Sequence, residues 1–148
     1  MVERVDLLRL TQVQHLREAQ TQAAAEQSAR ALRELETAEQ RRKESFEYRD
    51  AADAGWQRML GETRPDPELV RLGAAWLLEK QQLLEAEELG LTIAQSRCDL
   101  ELQNHREAMA REAAAKKIGA KVRRTMERQR EERLSAELTD SVLRRWHR

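Results

Sequence analysis

Apolar and small residues recur along this chain at alternating steps of three and four. They are spaced for one face of a helix rather than the two faces of a strand. Counting back from Met59, the row runs through Trp56, Ala52, Arg49, Ser45, Arg42, Ala38, Leu35, Ala31, Ser28 and Ala24, and the same steps reach Leu10 and Leu7. This is a heptad seam laid mostly in alanine and interrupted by arginine, so it buries little area per turn. A second helical stretch carries two neighbouring rows. One reads Leu69, Leu72, Trp76, Leu83, Ala86, Gly90, Ile93 and Leu100. The other reads Leu77, Leu84, Leu91, Cys98, Leu102 and Met109. Two adjacent rows make an apolar face wider than a single partner helix needs, which points to a further protein contact.

Between the two stretches lies Gly61-Glu62-Thr63-Arg64-Pro65-Asp66-Pro67, which holds both prolines of the chain. Gly61 suits a left-handed position just past a helix end. Asp66 is placed to cap the next helix, and Pro67 fits its first position, where an N–H would go unpaired. The expected fold is all-α, with two long helices in an antiparallel coiled-coil hairpin. Helix 1 covers about 3–60, the turn 61–66 and helix 2 about 67–145. A turn centred near residue 64 exhausts helix 1 opposite residue ~125, so the last twenty or so residues project or fray. Gly119 and the charge-dense run from Arg123 to Arg133 favour fraying of the C-terminal arm, 116–148. No solenoid-length repeat is present, and one domain is expected.

Composition agrees with long helices. Of 148 residues, 89 are Ala, Glu, Lys, Leu or Arg, and only Phe46, Tyr48, Trp56, Trp76 and Trp146 are aromatic. That is too few large apolar side chains for a globular core of this length, though enough for a stripe. High charge with weak hydrophobicity also describes a disordered chain, the competing reading. Cys98 is alone and forms no intramolecular disulfide, which fits a reducing cytoplasm. No apolar run is long enough to span a membrane, and the first residues, with charges inside their apolar run, lack a signal-peptide pattern.

Net charge is zero but unevenly spread. Residues 1–60 carry 10 basic and 11 acidic groups, 61–115 carry 6 and 11, and 116–148 carry 11 and 5. An acidic middle and a basic arm imply different partners for different parts of the chain. Catalysis finds no support: phosphate loop, HExxH, GxSxG and paired CxxC are all missing, and no cofactor or metal site is expected. His15, His105 and His147 lie at no metal-ligand spacing and read as surface imidazoles. Cys98 reads as a small buried hydrophobe, and Glu85, Glu87 and Glu88 as a solvated face. The basic arm could contact nucleic acid, but between Lys116 and Arg133 no aromatic is present to stack on a base. A basic patch docking into an acidic protein cavity explains it as well. The row Leu134, Leu138, Val142 and Trp146 reads as a protein-docking segment. Near the turn, Phe46, Tyr48, Trp56 and Trp76 either staple the tip or form a binding patch, Trp56 facing inward and Tyr48 outward.

The one-turn hairpin layout, the Ala/Gln-rich first helix, and the words Glu47-Tyr48-Arg49 and Leu78-Glu79-Lys80 resemble the stalk proteins of bacterial type III secretion and flagellar export, the YscO/SctO and FliJ-like family. The resemblance covers the whole chain. It implies a cytoplasmic, non-enzymatic protein similar to the antiparallel coiled coil of a rotary ATPase γ subunit. Such a protein inserts into the hexameric export ATPase and links it to the cytoplasmic domain of the export gate, and some members bind a stator protein or secretion chaperones. Transferred to this chain, the paired ends would sit in the ATPase: Arg4, Arg9 and Arg17 with Lys116, Lys117, Lys121, Arg123 and Arg124. Phe46, Tyr48, Trp76 and Leu78 near the hairpin tip would face the gate. The alternatives are a generic cytosolic coiled-coil scaffold or escort chaperone and, behind it, a nucleic-acid-binding protein.

Overall fold

The computed structural model describes residues 2–146, with side chains described from residue 6 onward. Its architecture is all-helical: α1 (Val2–Leu60) and α2 (Pro67–Trp146) pack against each other. Two details fix the break between them. The Glu68 N–H donates to Asp66 Oδ1 at 2.9 Å, and the Val70 N–H donates to the Asp66 carbonyl at 3.0 Å. Asp66 therefore caps α2 with Pro67 in the first position, where no donor is lost. Gly61 departs from expectation, because no glycine among the described residues has a positive φ. Its N–H continues the helical pattern by donating to Gln57 O at 3.1 Å. The first helix thus unwinds over 61–66 with no left-handed stop, and Pro65 and Pro67 make the break.

Every position of the α1 row read from the sequence is covered or partly covered: Leu7, Leu10, Ala24, Ser28, Ala31, Leu35, Ala38, Arg42, Ser45, Arg49, Ala52, Trp56 and Met59. On α2 the outcome splits. The row through Leu77, Leu84, Leu91, Cys98 and Leu102 packs inward, although Met109 is exposed. Its true course follows threes and fours from Val70 through Gly73, Glu87, Ala94, Glu101, Ala108, Glu112, Ala115 and Gly119 to Met126. The row from Leu69 to Leu100, read as a packing seam, faces outward instead: its large members are 42–66 % exposed. A single helix partner can cover only one such row. The selected row mixes apolar, small and acidic residues, and at Gly73 and Gly119 the α1 side chains sit close to where a Cβ would stand.

By contacts the chain forms two compact units, residues 24–105 and residues 1–23 with 106–148. In the first, Glu34 Oε2 meets Arg97 Nη1 at 3.0 Å, Arg42 Nη2 meets Glu88 Oε1 at 3.5 Å, and the Trp56 indole N–H donates to Val70 O at 3.2 Å. The buried apolar set lies here too: Ala31, Ala52, Leu84 and Cys98. Cys98 is a free, buried thiol. In the second, Gln14 Nε2 donates to Ala115 O at 3.4 Å and Lys116 pairs with Glu18 at 3.5 Å.

The arm does not unwind: α2 stays helical to Trp146, while no residue from 127 to 146 is covered. Gly119 is no breaker. It is buried, and a Cβ there would strike the Gln14 side-chain amide and touch Leu10 Cδ2 at 3.4 Å. Its missing side chain lets α1 approach.

Candidate functional site

The unit of residues 1–23 and 106–148 gathers the cations expected to meet an ATPase. Arg17, partly covered, lines a shallow hollow of about 260 Å³ with Leu10, Val13, Arg111 and Ile118. Its guanidinium Nη1 donates to Gln20 Oε1 at 3.0 Å. Lys116 lies across from Glu18 and one turn after Glu112, and its ammonium bridges both carboxylates. Arg17 and Lys116 are therefore brought to one end of the same unit. Arg9, Lys117, Lys121, Arg123 and Arg124 are all exposed on its helices. The Arg4 side chain, like His147, lies outside the described residues.

Electrostatics divide these cations. The hydrogen bond from Lys116, with a further one from Thr21, holds the Glu112 carboxyl below its ordinary range. The same bond to Glu112, joined by Glu18, raises the Lys116 ammonium above its own. A cation held by two carboxylates offers little net charge to a partner. Among the described cations expected at this end, Lys116 is the one paired with carboxylates of its own chain. The sequence did carry a signal for this, since Glu112 stands four residues before Lys116 on one helix face. Glu18 could be found only through the register of α1 on α2.

Unit 24–105 holds the four residues expected at a gate contact. Phe46 is 39 % exposed and lies between two guanidinium groups, Arg42 at 5.5 Å and Arg49 at 5.2 Å from its ring centre. Such contacts are cation–π in kind. Tyr48 stands outward, 60 % exposed. Trp76 lies on the outward row of α2 with Lys80 Nζ 5.8 Å from its ring centre. Leu78 lines a hollow of about 350 Å³ with Trp56, Arg49, Ala74 and Gln81. Trp56 turns inward: it is partly covered, anchored to Val70 O and seated against Gly73, where a Cβ would come within 3.1 Å of its Cδ1. It staples the turn, leaving Trp76 outside.

Among the described residues no group of three or more His, Cys, Asp or Glu side chains could hold a metal ion. No helix there is long and apolar enough to cross a membrane. What the described residues do expose includes the cations of the unit of residues 1–23 and 106–148 and the outward apolar row of α2. In comparisons with known proteins, no family model, no curated protein and no solved structure matches the chain.

Proposed function

We propose that this protein is an antiparallel coiled-coil hairpin acting as the non-enzymatic central stalk of a bacterial type III secretion or flagellar export ATPase. In this reading it works in the cytoplasm, inserts its paired ends into the ATPase hexamer and meets the cytoplasmic domain of the export gate near residues 46–48 and 76–78. A stator protein and secretion chaperones are further partners. The observation carrying the proposal is the pair of unbroken rows, Leu7 to Met59 and Val70 to Met126, made largely of small and polar residues. Such a seam keeps two helices close with little hydrophobic locking. The exposed cations Lys117, Lys121, Arg123 and Arg124 supply weak, screened contacts, which suit a shaft passing between equivalent positions in an acidic ring.

The test is direct. Purified export ATPase is mixed with this chain, and binding and hydrolysis are measured across a salt series. Binding should weaken as salt rises and fall further when Lys117, Lys121, Arg123 and Arg124 are changed to Glu. The absence of both binding and any change in hydrolysis would end the proposal. One observation favours a second reading, a cytosolic scaffold or escort chaperone: the outward apolar row of α2, which a shaft inside a ring does not need.

A further inference from the structure

The outward row of α2 has a symmetry of its own. It runs Leu69, Leu72, Trp76, Glu79, Leu83, Ala86, Gly90, Ile93, Arg97 and Leu100, one residue out of step with the row that packs on α1. From Trp76 onward it reads by type the same in either direction, with acid exchanged for base: bulky, acid, aliphatic, small, then small, aliphatic, base, bulky. We propose that this row pairs with the same row of a second copy of the chain, the two α2 helices antiparallel about residue 88.

Turned end for end, the row meets its complement at every layer. Ala86 faces the copy's Gly90, Leu83 its Ile93, Glu79 its Arg97 and Trp76 its Leu100. Each layer opposes the two kinds of core position of a heptad, as an antiparallel coiled coil requires. The contact is isologous, so every pair occurs twice. Room exists at the centre: a Cβ on Gly90 would have nothing within 4 Å. Leu89, 63 % exposed, flanks the row and meets its own copy beside the axis. Ala75, Gln82 and Ser96 continue that flank without charge, in a chain whose residues are 36 % charged. A face meant only for water would carry more. On the other flank Glu87 meets its own copy, a repulsion that Arg30 and Arg33, lining the same hollow as Glu87, offset.

Charge sets the direction. In a parallel, in-register pair Glu79 would stand on Glu79 and Arg97 on Arg97; the antiparallel pair makes two attractions of these repulsions. Arg97 bridges Glu34 in its own chain, yet its side chain stays 58 % exposed. Magnitude sets the strength. From Trp76 to Leu100 the contact runs ~36 Å along a helix ~10 Å wide, a footprint of roughly 360 Å² per partner. Stable interfaces bury about 800 Å² per partner, so this dimer is weak and reversible, forming at micromolar concentrations and above. It covers Trp76, so a copy so paired cannot offer that residue to another protein. The pairing rests on no part of the stalk reading.

Sedimentation of the full chain over a concentration series tests it. Wild type should pass from monomer to dimer. Glu79→Lys, at an exposed position, should weaken the dimer about tenfold by making two attractions into repulsions. Arg97→Glu should do the same, and an equimolar mixture of the two variants should restore association as a heterodimer. In a Cys98→Ala background, Leu89→Cys should cross-link to itself on mild oxidation, whereas Ser96→Cys, which meets Gln82 of the copy, should not. A wild-type chain monomeric up to millimolar concentration overturns the proposal. So does a Glu79→Lys dimer of undiminished affinity, or equal cross-linking from positions 89 and 96. Circular dichroism of each variant confirms folding, and ATPase binding by Glu79→Lys reports on the stalk reading separately.

Discussion

Leu83 and Leu84 are neighbours in sequence, identical in chemistry and opposite in consequence. Leu84 is 4 % exposed on the row that packs against α1, and Leu83 is 42 % exposed on the outward row. Truncating a buried leucine costs its transfer free energy plus the cavity left behind, ~2–5 kcal/mol across measured cores. A seam between two helices can close partly around a gap, so Leu84→Ala should fall near the low end, ~2–3 kcal/mol. Leu83→Ala opens no cavity and forfeits only part of a side chain's burial, under about 1 kcal/mol. For a chain of this size each kcal/mol moves Tm by ~2–4 °C, so the two variants should melt roughly 4–12 °C and under ~4 °C below wild type. Both residues lie in the unit of residues 24–105, so one transition reports both. The assay is thermal unfolding followed by far-ultraviolet circular dichroism in a long-path cell below micromolar concentration, where the proposed dimer is dissociated. Equal drops, or a larger drop for Leu83→Ala, would mean that α1 packs on the other row, and the assignment of seams would fall with it.

Three further outcomes follow from local geometry. Asp66→Ala removes the carboxylate that accepts the Glu68 N–H and should cost ~0.5–2 kcal/mol in a denaturant titration, with Asp66→Asn close to neutral. Gly55→Ala meets nothing within 4 Å and should raise stability by ~1 kcal/mol, the full difference in helix propensity; Gly73→Ala should gain less or lose, because its Cβ would press on Trp56 Cδ1 at 3.1 Å and Met59 Sδ at 3.3 Å. For Glu112, held below its ordinary range by Lys116, the unfolded chain takes up the proton first as pH falls. Its contribution to stability is therefore present above the ordinary glutamate range and lost through the lowered one, whereas that of Lys116, raised by Glu112, is lost as pH climbs through the raised range. Side-chain carboxyl NMR should show Glu112 titrating nearer the ordinary range in Lys116→Met; an unchanged titration would break the link.

The turn was legible because its chemistry is local. Asp66 and Pro67 name a helix start whatever lies around them, and two prolines within seven residues leave no continuous helix. The α1 row was legible too, since α1 offers a single run of small and apolar residues at the right steps, and each is covered. On α2 the sequence offered two rows, and hydrophobicity favours the wrong one. Leu69, Leu72, Trp76, Leu83, Ile93 and Leu100 give the outward row six large members, whereas the covered row sets Gly73, Glu87, Ala94, Cys98 and Glu101 among Val70, Leu77, Leu84, Leu91 and Leu102. Packing is decided by the pair of surfaces, and α1 presents an arginine at 42, whose charge an acidic neighbour can meet. Arg42 accordingly meets Glu88, and Glu87 and Glu101 stand on the covered row where leucines could have stood. Gly119 misleads for the same reason: alone it reads as a helix weakness, and only the Gln14 side chain above it reveals a close approach. What a single chain cannot spell out is which face its partner will choose. Here the less apolar row goes to the intramolecular contact, and the residue of that choice is an outward row of large side chains in search of a second helix.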